Sequence, residues 1–266
     1  MSLLSQLGAI FRDPPPSLVF EFSSDGIAWA NGAETGFEPG ADATSLIRRF
    51  SQPGGKKRRP AALLLPDQEA RVTVLDFDSF SDEPTEQLSL VRFRLKKSVP
   101  FDIDSASVGY YVQPGKNAKG KIEVVAAVVS LETLARYEVM FRNAGLHAGD
   151  VTVSALKLLE LYKSDDVAIL AKLAGHTLTT MVVGQGKLKL YRCLELEDTS
   201  ASSINTVLSP TLAYAEDELG APVRKLIACG FEPQGLPCPV ETLRSKSRTA
   251  APHEAGLLGY IEGGSN

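Results

Sequence analysis

The sequence predicts a two-lobed α/β protein in which the first lobe carries an inserted subdomain of two helices on a sheet. Three observations lead there. Apolar hairpins at Leu18–Ala30 and Thr177–Cys193 open the two halves of the chain, a helix–strand–strand–helix unit runs between them from about Glu86 to Val153, and the composition resets after Tyr162. The expected division is a first lobe at 1–163, holding the insert at about 86–153, and a shorter second lobe at 164–266.

Each element has a local reason. Pro14-Pro15-Pro16 leads stiffly into the strand Leu18–Phe22; Ser23-Ser24-Asp25-Gly26 is a tight turn, and Ile27–Ala30 returns as a second strand. A helix follows around Thr44–Phe50, and the apolar runs Ala61–Leu65 and Val72–Phe77 read as strands. Asp82-Glu83-Pro84 opens the central helix, in which Leu88, Val91 and Leu95 share a face, Lys96 and Lys97 suit the last turn, and Pro100 marks the stop. Ser107–Val112 is a strand. Gln113–Lys121, with Pro114, Gly115 and Gly120, reads as a flexible polar connection to Ile122–Val129, whose unbroken apolar character fits a strand buried on both faces. Ser130 is a good N-cap for a helix that presents Leu134, Tyr137 and Phe141 and ends at Gly145. A third helix is expected at Ser154–Tyr162. Ser164-Asp165-Asp166 turns the chain into a new strand from Val167, and Gly184-Gln185-Gly186 closes the second hairpin. Ser200–Leu219 has a helical pattern, Arg224–Ala228 is a strand, and the small residues around Ala255–Gly259 close the chain as a helix.

Composition narrows the function classes. The chain has 266 residues, 44% of them hydrophobic, enough for a large core, and a formal net charge of −4 that gives no general attraction to nucleic acid. The run Lys56-Lys57-Arg58-Arg59 lacks aromatic neighbours for base stacking and reads as a solvated loop. Cys193, Cys229 and Cys238 form neither a disulfide framework nor a paired metal-ligand pattern. Leu3, Leu4, Leu7, Ile10 and Phe11 have the spacing of a short amphipathic helix without the basic face of a membrane anchor, and without the basic lead and cleavage site of an export signal. His147, His176 and His253 stand alone, with no nucleophile or carboxylate at motif spacing.

The order of these words resembles PilM, the actin-like family of type IV pilus assembly. The resemblance rests on the Lys97-Ser98-Val99-Pro100-Phe101 phrase ending the central helix, on Arg136-Tyr137 to Ala144-Gly145-Leu146 in the later helix, and on the strand that ends at Leu65-Pro66. It covers most of the chain and implies an actin-like (ribonuclease H-like) fold with a reduced second lobe, since no subdomain fits between Glu195 and Arg224. The cytoplasmic part of GspL is similar in the same way.

The resemblance also implies where nucleotide loops would lie, and there the residues depart from the family. Glu21 stands for the Asp of the first phosphate hairpin, Ser23 for its glycine and Ala28 for its lysine. In the second, Lys172 stands for the Asp and Ala174 for the glycine, with Thr179 or Thr177 near the Thr position. Cys229-Gly230 stands for the Gly-Gly adenosine loop. Phosphate binding needs glycine-presented amides and a metal held by carboxylates, so these losses point away from an ATPase. The expectation is no cofactor, with ATP-Mg conceivable only through competent loops. The function expected is a non-enzymatic cytoplasmic scaffold, peripheral at the inner membrane, in a pilus or type II secretion platform; the alternative is an actin-like ATPase or related kinase. The partners the resemblance implies are a platform protein with a short cytoplasmic tail (PilN-like), the assembly motor ATPase and other copies of the chain. Arg94, Lys97, Pro100 and Phe101, at the end of the central helix, are the expected protein-binding residues.

Overall fold

The computed structural model describes residues 15–40, 42–51 and 58–264. The amphipathic start and half of the cation run, Lys56 and Lys57, therefore lie outside the described residues, while Arg59, expected in a solvated loop, opens a strand and donates to Asn31 Oδ1 at 2.7 Å. In chain order the elements are β1 (Leu18–Phe22), β2 (Gly26–Asn31), β3 (Glu34–Pro39), α1 (Ala43–Arg48), β4 (Arg59–Leu65), β5 (Arg71–Phe77), α2 (Pro84–Leu95), β6 (Ala106–Lys116), β7 (Ile122–Ser130), α3 (Leu131–Asn143), β8 (Leu146–Val153) and α4 (Ser154–Leu158). The second half continues with β9 (Ala168–Ala174), β10 (Thr177–Gly184), β11 (Lys187–Glu195), α5 (Ala201–Leu219), β12 (Lys225–Cys229), β13 (Val240–Thr242) and α6 (Ala255–Gly263).

Two five-stranded sheets repeat one plan. The first runs β3-β2-β1-β4-β8 and the second β11-β10-β9-β12-β13. In each, three antiparallel strands from consecutive hairpins are followed by two strands parallel to the first. This duplication is the actin-like, ribonuclease H-like plan. One helix and its loops link β11 to β12, so the second lobe carries no insertion there. Leu18–Phe22 and Ala168–Ala174 begin separate sheets, as the hairpins implied.

The third sheet, β5-β7-β6, is the insert. β7 is its central strand, which explains the unbroken apolar run: Val124, Ala126 and Val128 face Val91 and Leu95 of α2, while Val125 on the other face joins Val72, Leu188 and Tyr191. This sheet starts at Arg71, before the expected span of about 86–153, because β5 pairs with β7 along its whole length. Leu146–Val153, inside that span, instead pairs parallel with β4 in the first sheet. α3 belongs with it: Phe141 and Tyr137 meet Phe20 and Phe22 of β1 edge-on, at centroid distances of 5.5 and 5.0 Å.

The connection expected at Gln113–Lys121 is much tighter. β6 runs on to Lys116, and the turn is only Asn117–Gly120, held by Gly120 N donating to Asn117 O and by the Asn117 side chain. Gln113 is the reason. Its side chain is buried and donates to Leu188 O while accepting from Leu188 N, both at 2.8 Å, which fixes β6 against β11 of the second lobe. Lys189 adds two bonds to Glu123 at 2.7 and 2.9 Å. The insert is thus fastened to the second lobe as well as being part of the first.

Candidate functional site

Two places merit a functional reading: the joint where the lobes meet and a groove between the first lobe and the insert. The joint is built by the strands that open each lobe. β1 delivers Glu21 and β9 delivers Lys172; Asp67 follows β4 in a short 3-10 turn, Ser154 opens α4, and Thr179 lies on β10. All five are buried. Lys172 Nζ donates to Asp67 Oδ2 at 2.8 Å and to Ser154 Oγ at 2.7 Å, and Ser154 in turn donates a short hydrogen bond to Glu21. Asp67 also accepts from Ala155 N at 2.8 Å and Thr179 Oγ1 at 3.0 Å. Glu21 takes the Leu257 amide at 2.6 Å, at the start of α6. The carboxylates thus receive amides from the first turns of two helices.

Electrostatics follow from counting charges. One ammonium faces two carboxylates in a buried space, so one carboxyl has an incentive to stay protonated. Burial pushes Glu21 up to about 7, against the opposing pull of Lys172, Ser154 and the Leu257 amide. For Lys172 burial alone would favour the neutral amine, but Asp67 and then Glu21 outweigh it and hold the ammonium above its usual range.

Around this joint the chain packs closely on itself. The turn between β9 and β10 meets the turn between β1 and β2: a Cβ on Gly175 would stand 2.5 Å from Ser24 Oγ. It is this turn at Ala174–Thr177, and not Gly184–Gly186, that faces the first hairpin. Gly230, which stands for the adenosine loop, has φ +88° and packs its Cα against Leu173 O and the Pro252 ring, so no side chain fits there. α6 lies directly on α4, since a Cβ on Gly259 would overlap the Lys157 carbonyl and one on Gly256 would stand 2.7 Å from Ser154 O. The residues present do not fit ATP and magnesium. Among the described residues no group of three or more His, Cys, Asp and Glu side chains is placed to hold a metal.

The groove is of another kind. It encloses about 190 Å³ and is apolar, lined by Val129 and Ala127 of β7, Tyr111 of β6, Leu134 of α3, and Val151 and Val153 of β8. β6 and β8 are both edge strands of their sheets, so each offers backbone groups to an extended segment laid between them. Gly109 of β6 faces the groove with open space where a side chain would project.

The four residues expected to bind a partner are elsewhere. Phe101 is half-buried against the α2-side core of the insert, Pro100 and Lys97 are exposed in the turn after α2, and Arg94 lies over the Phe77 ring at 5.2 Å. They cluster at one end of α2, on the sheet face opposite the groove, because Val91 and Leu95 anchor that helix to the Val124, Ala126 and Val128 side of β7. His176 is exposed with Nδ1 at 3.2 Å from Leu196 O, His147 is exposed, and His253 stacks on Phe37. Sequence reasoning missed Asp67 and Ser154. The faint signals were an acid directly after a buried Leu-Leu-Leu-Pro strand and a serine opening an apolar helix.

Fold and joint together define an actin-like protein whose lobes meet through a buried cluster of charged and hydroxyl side chains. No family model matches the chain, and no curated protein matches it. Among solved structures, a chain of a PilM-PilN type IV pilus biogenesis complex superposes on 96% of this chain and 100% of its own length, with a TM-score of 0.63 and 14% identity. The cytoplasmic domain of EpsL, an inner membrane component of the type II secretion system of Vibrio cholerae, does so over 94% of both chains, with a TM-score of 0.56 and 14% identity. The chain shares their fold. No helix among the described residues is long and apolar enough to cross a membrane.

Proposed function

We propose that this chain is a non-enzymatic cytoplasmic adaptor of an inner-membrane pilus or secretion platform, and that it holds an extended tail of a PilN-like platform protein in the groove between β6 and β8. The observation that carries the reading is the groove itself: two open strand edges flank one apolar cavity that takes a few aliphatic side chains. Backbone pairing would supply register, and the cavity would select the side chains. The closed joint supports the absence of catalysis, and the occurrence of PilN with a protein of this fold supports the class of partner.

Gly109→Trp tests it. The new ring enters space that is open in the folded chain, so the protein keeps its structure while the groove is blocked. A peptide copying the cytoplasmic tail of a PilN-like platform protein from the same organism should bind the parent chain in calorimetry and lose at least tenfold in affinity on the Trp variant. Arg94→Glu with Lys97→Glu should leave that binding intact. If the tail instead binds the Trp variant normally and is lost on the double charge reversal, the end of α2 is the binding site and the groove is not.

A further inference from the structure

The end of the first lobe that faces away from the joint gathers arginines from three separate parts of the chain. α1 and α3 both finish there, with Arg48 and Arg142 in their last turns, and Arg58 and Arg59 lead into β4. Backbone bonds hold these places together. Ser51 N donates to Arg48 O at 3.0 Å and Ser51 Oγ to Ala144 O at 2.5 Å; Gly145 N donates to Arg142 O at 3.1 Å, and Arg59 N to Gly145 O at 3.3 Å. Arg48, Arg58 and Arg142 are exposed, as is His147 at the start of β8. Among the described residues no ion pair holds any of the four arginines. Against them stand two exposed acids, Glu34 opposite Asn31 and Glu138 one turn before Arg142. Arg48 and Arg142 complement the carbonyl ends of their helices. Arg58 has no such role, and Lys56 and Lys57 precede it in the chain.

We infer that this end of the first lobe binds the anionic lipid headgroups of the membrane surface directly. The membrane is supplied by the adaptor reading above; the contact itself does not depend on it. Clusters of Lys and Arg beside a bilayer are drawn to acidic lipid. The chain as a whole carries a net charge of −4, so an anionic plane attracts this end and repels the rest, which sets the orientation as well as the contact. A nucleic acid fits less well. Phe50, the ring beside these cations, is used inward against Phe20 and Trp29 and leaves no face for a base. β8 starts at the same end and carries Val151 and Val153 into the groove, so a tail leaving the bilayer meets the groove along β8.

Flotation of the full chain with phosphatidylglycerol–phosphatidylcholine vesicles, with no platform protein present, tests the contact. Binding is expected at low salt, absent on pure phosphatidylcholine and lost as salt rises. Each cation at an anionic surface contributes about fivefold in affinity, so Arg58→Glu with Arg142→Glu should weaken binding by about tenfold or more. Lys96→Glu with Lys97→Glu makes the same change of net charge at the end of α2 and should leave binding intact. All four side chains are exposed, so both variants keep the fold. A chain that ignores anionic vesicles overturns the inference, as does an equal loss in the two variants, or tighter binding to a DNA duplex than to the vesicles at one ionic strength. Each of these results leaves the tail reading standing, since no tail takes part.

Discussion

Replacing Lys172 with Met removes the ammonium and keeps the length of the side chain. Two hydrogen bonds go, to Asp67 at 2.8 Å and to Ser154 at 2.7 Å, and with them the only cation of the buried cluster described here. Asp67 keeps the Ala155 amide and the Thr179 hydroxyl, and Glu21 keeps the Leu257 amide, but two buried carboxylates now face each other without a counter-charge. Breaking a buried ion pair by removing one partner costs about 3–5 kcal/mol. At about 2–4 °C per kcal/mol for a chain of this size, the melting temperature should fall by about 10 °C. The loss should also depend on pH. At pH 5 Glu21 is protonated in the parent chain, so the ammonium serves Asp67 alone; at pH 8 it serves both carboxylates, and the variant's deficit should be larger there. Urea unfolding of both chains at pH 5 and pH 8 measures this. A Met variant within about 1 kcal/mol of the parent at pH 8, or a deficit that does not grow with pH, would refute the claim that a paired ammonium fastens the joint.

Glu21 gives a second pH signature. Burial raises its folded pKa to about 7 from the ordinary glutamate value of about 4.5, so its contribution to stability is fully present below about pH 4.5 and is lost as pH rises through 7. The full span is worth about 3 kcal/mol at 1.36 kcal/mol per unit. Glu21→Gln cannot ionise, so the stability difference between parent and variant should change with pH by that order, and a constant difference would sink the assignment. Gly259→Val should separate α6 from α4, because its Cβ meets the Lys157 backbone, which cannot swing aside; a loss of about 3 kcal/mol or more is expected in thermal unfolding, and an unchanged melting temperature would disprove the backbone contact.

The local elements were legible where side-chain pattern and turn chemistry act together. The hairpins at Ser23–Gly26 and Gly184–Gly186, the Ser130 N-cap and the buried run of β7 all came from short-range rules. β3 was not visible, because in Glu34-Thr35-Gly36-Phe37-Glu38-Pro39 the strand formers Thr35 and Phe37 stand among Gly, Pro and two Glu; it exists because β2 offers a ladder and Gly36 lets the backbone lie against the Trp29 ring. The reach of β6 past Pro114 was hidden too, since Gln113 finds its partners at Leu188, in the other lobe. The joint was half legible. Glu21 and Lys172 stood out as departures from a nucleotide-binding pattern, but what they do in the joint depends on Asp67 and Ser154, since only the fold brings Asp67 to Lys172 across 105 residues of chain and Ser154 to Glu21 across 133. The groove was least visible, because it belongs to the relation between two sheet edges.

The central claim is that the joint between the lobes is held by the chain's own charges and needs no nucleotide. Titrating the full chain with ATP and magnesium in a calorimeter, at concentrations into the millimolar range, tests it most directly. The account predicts no saturable heat, for the parent chain and for the Gly109→Trp variant alike. Saturable binding in the micromolar range, weakened when Glu21 or Lys172 is replaced, would contradict it, because the ligand would then have to occupy the space that Lys172, Gly175 and Gly230 fill.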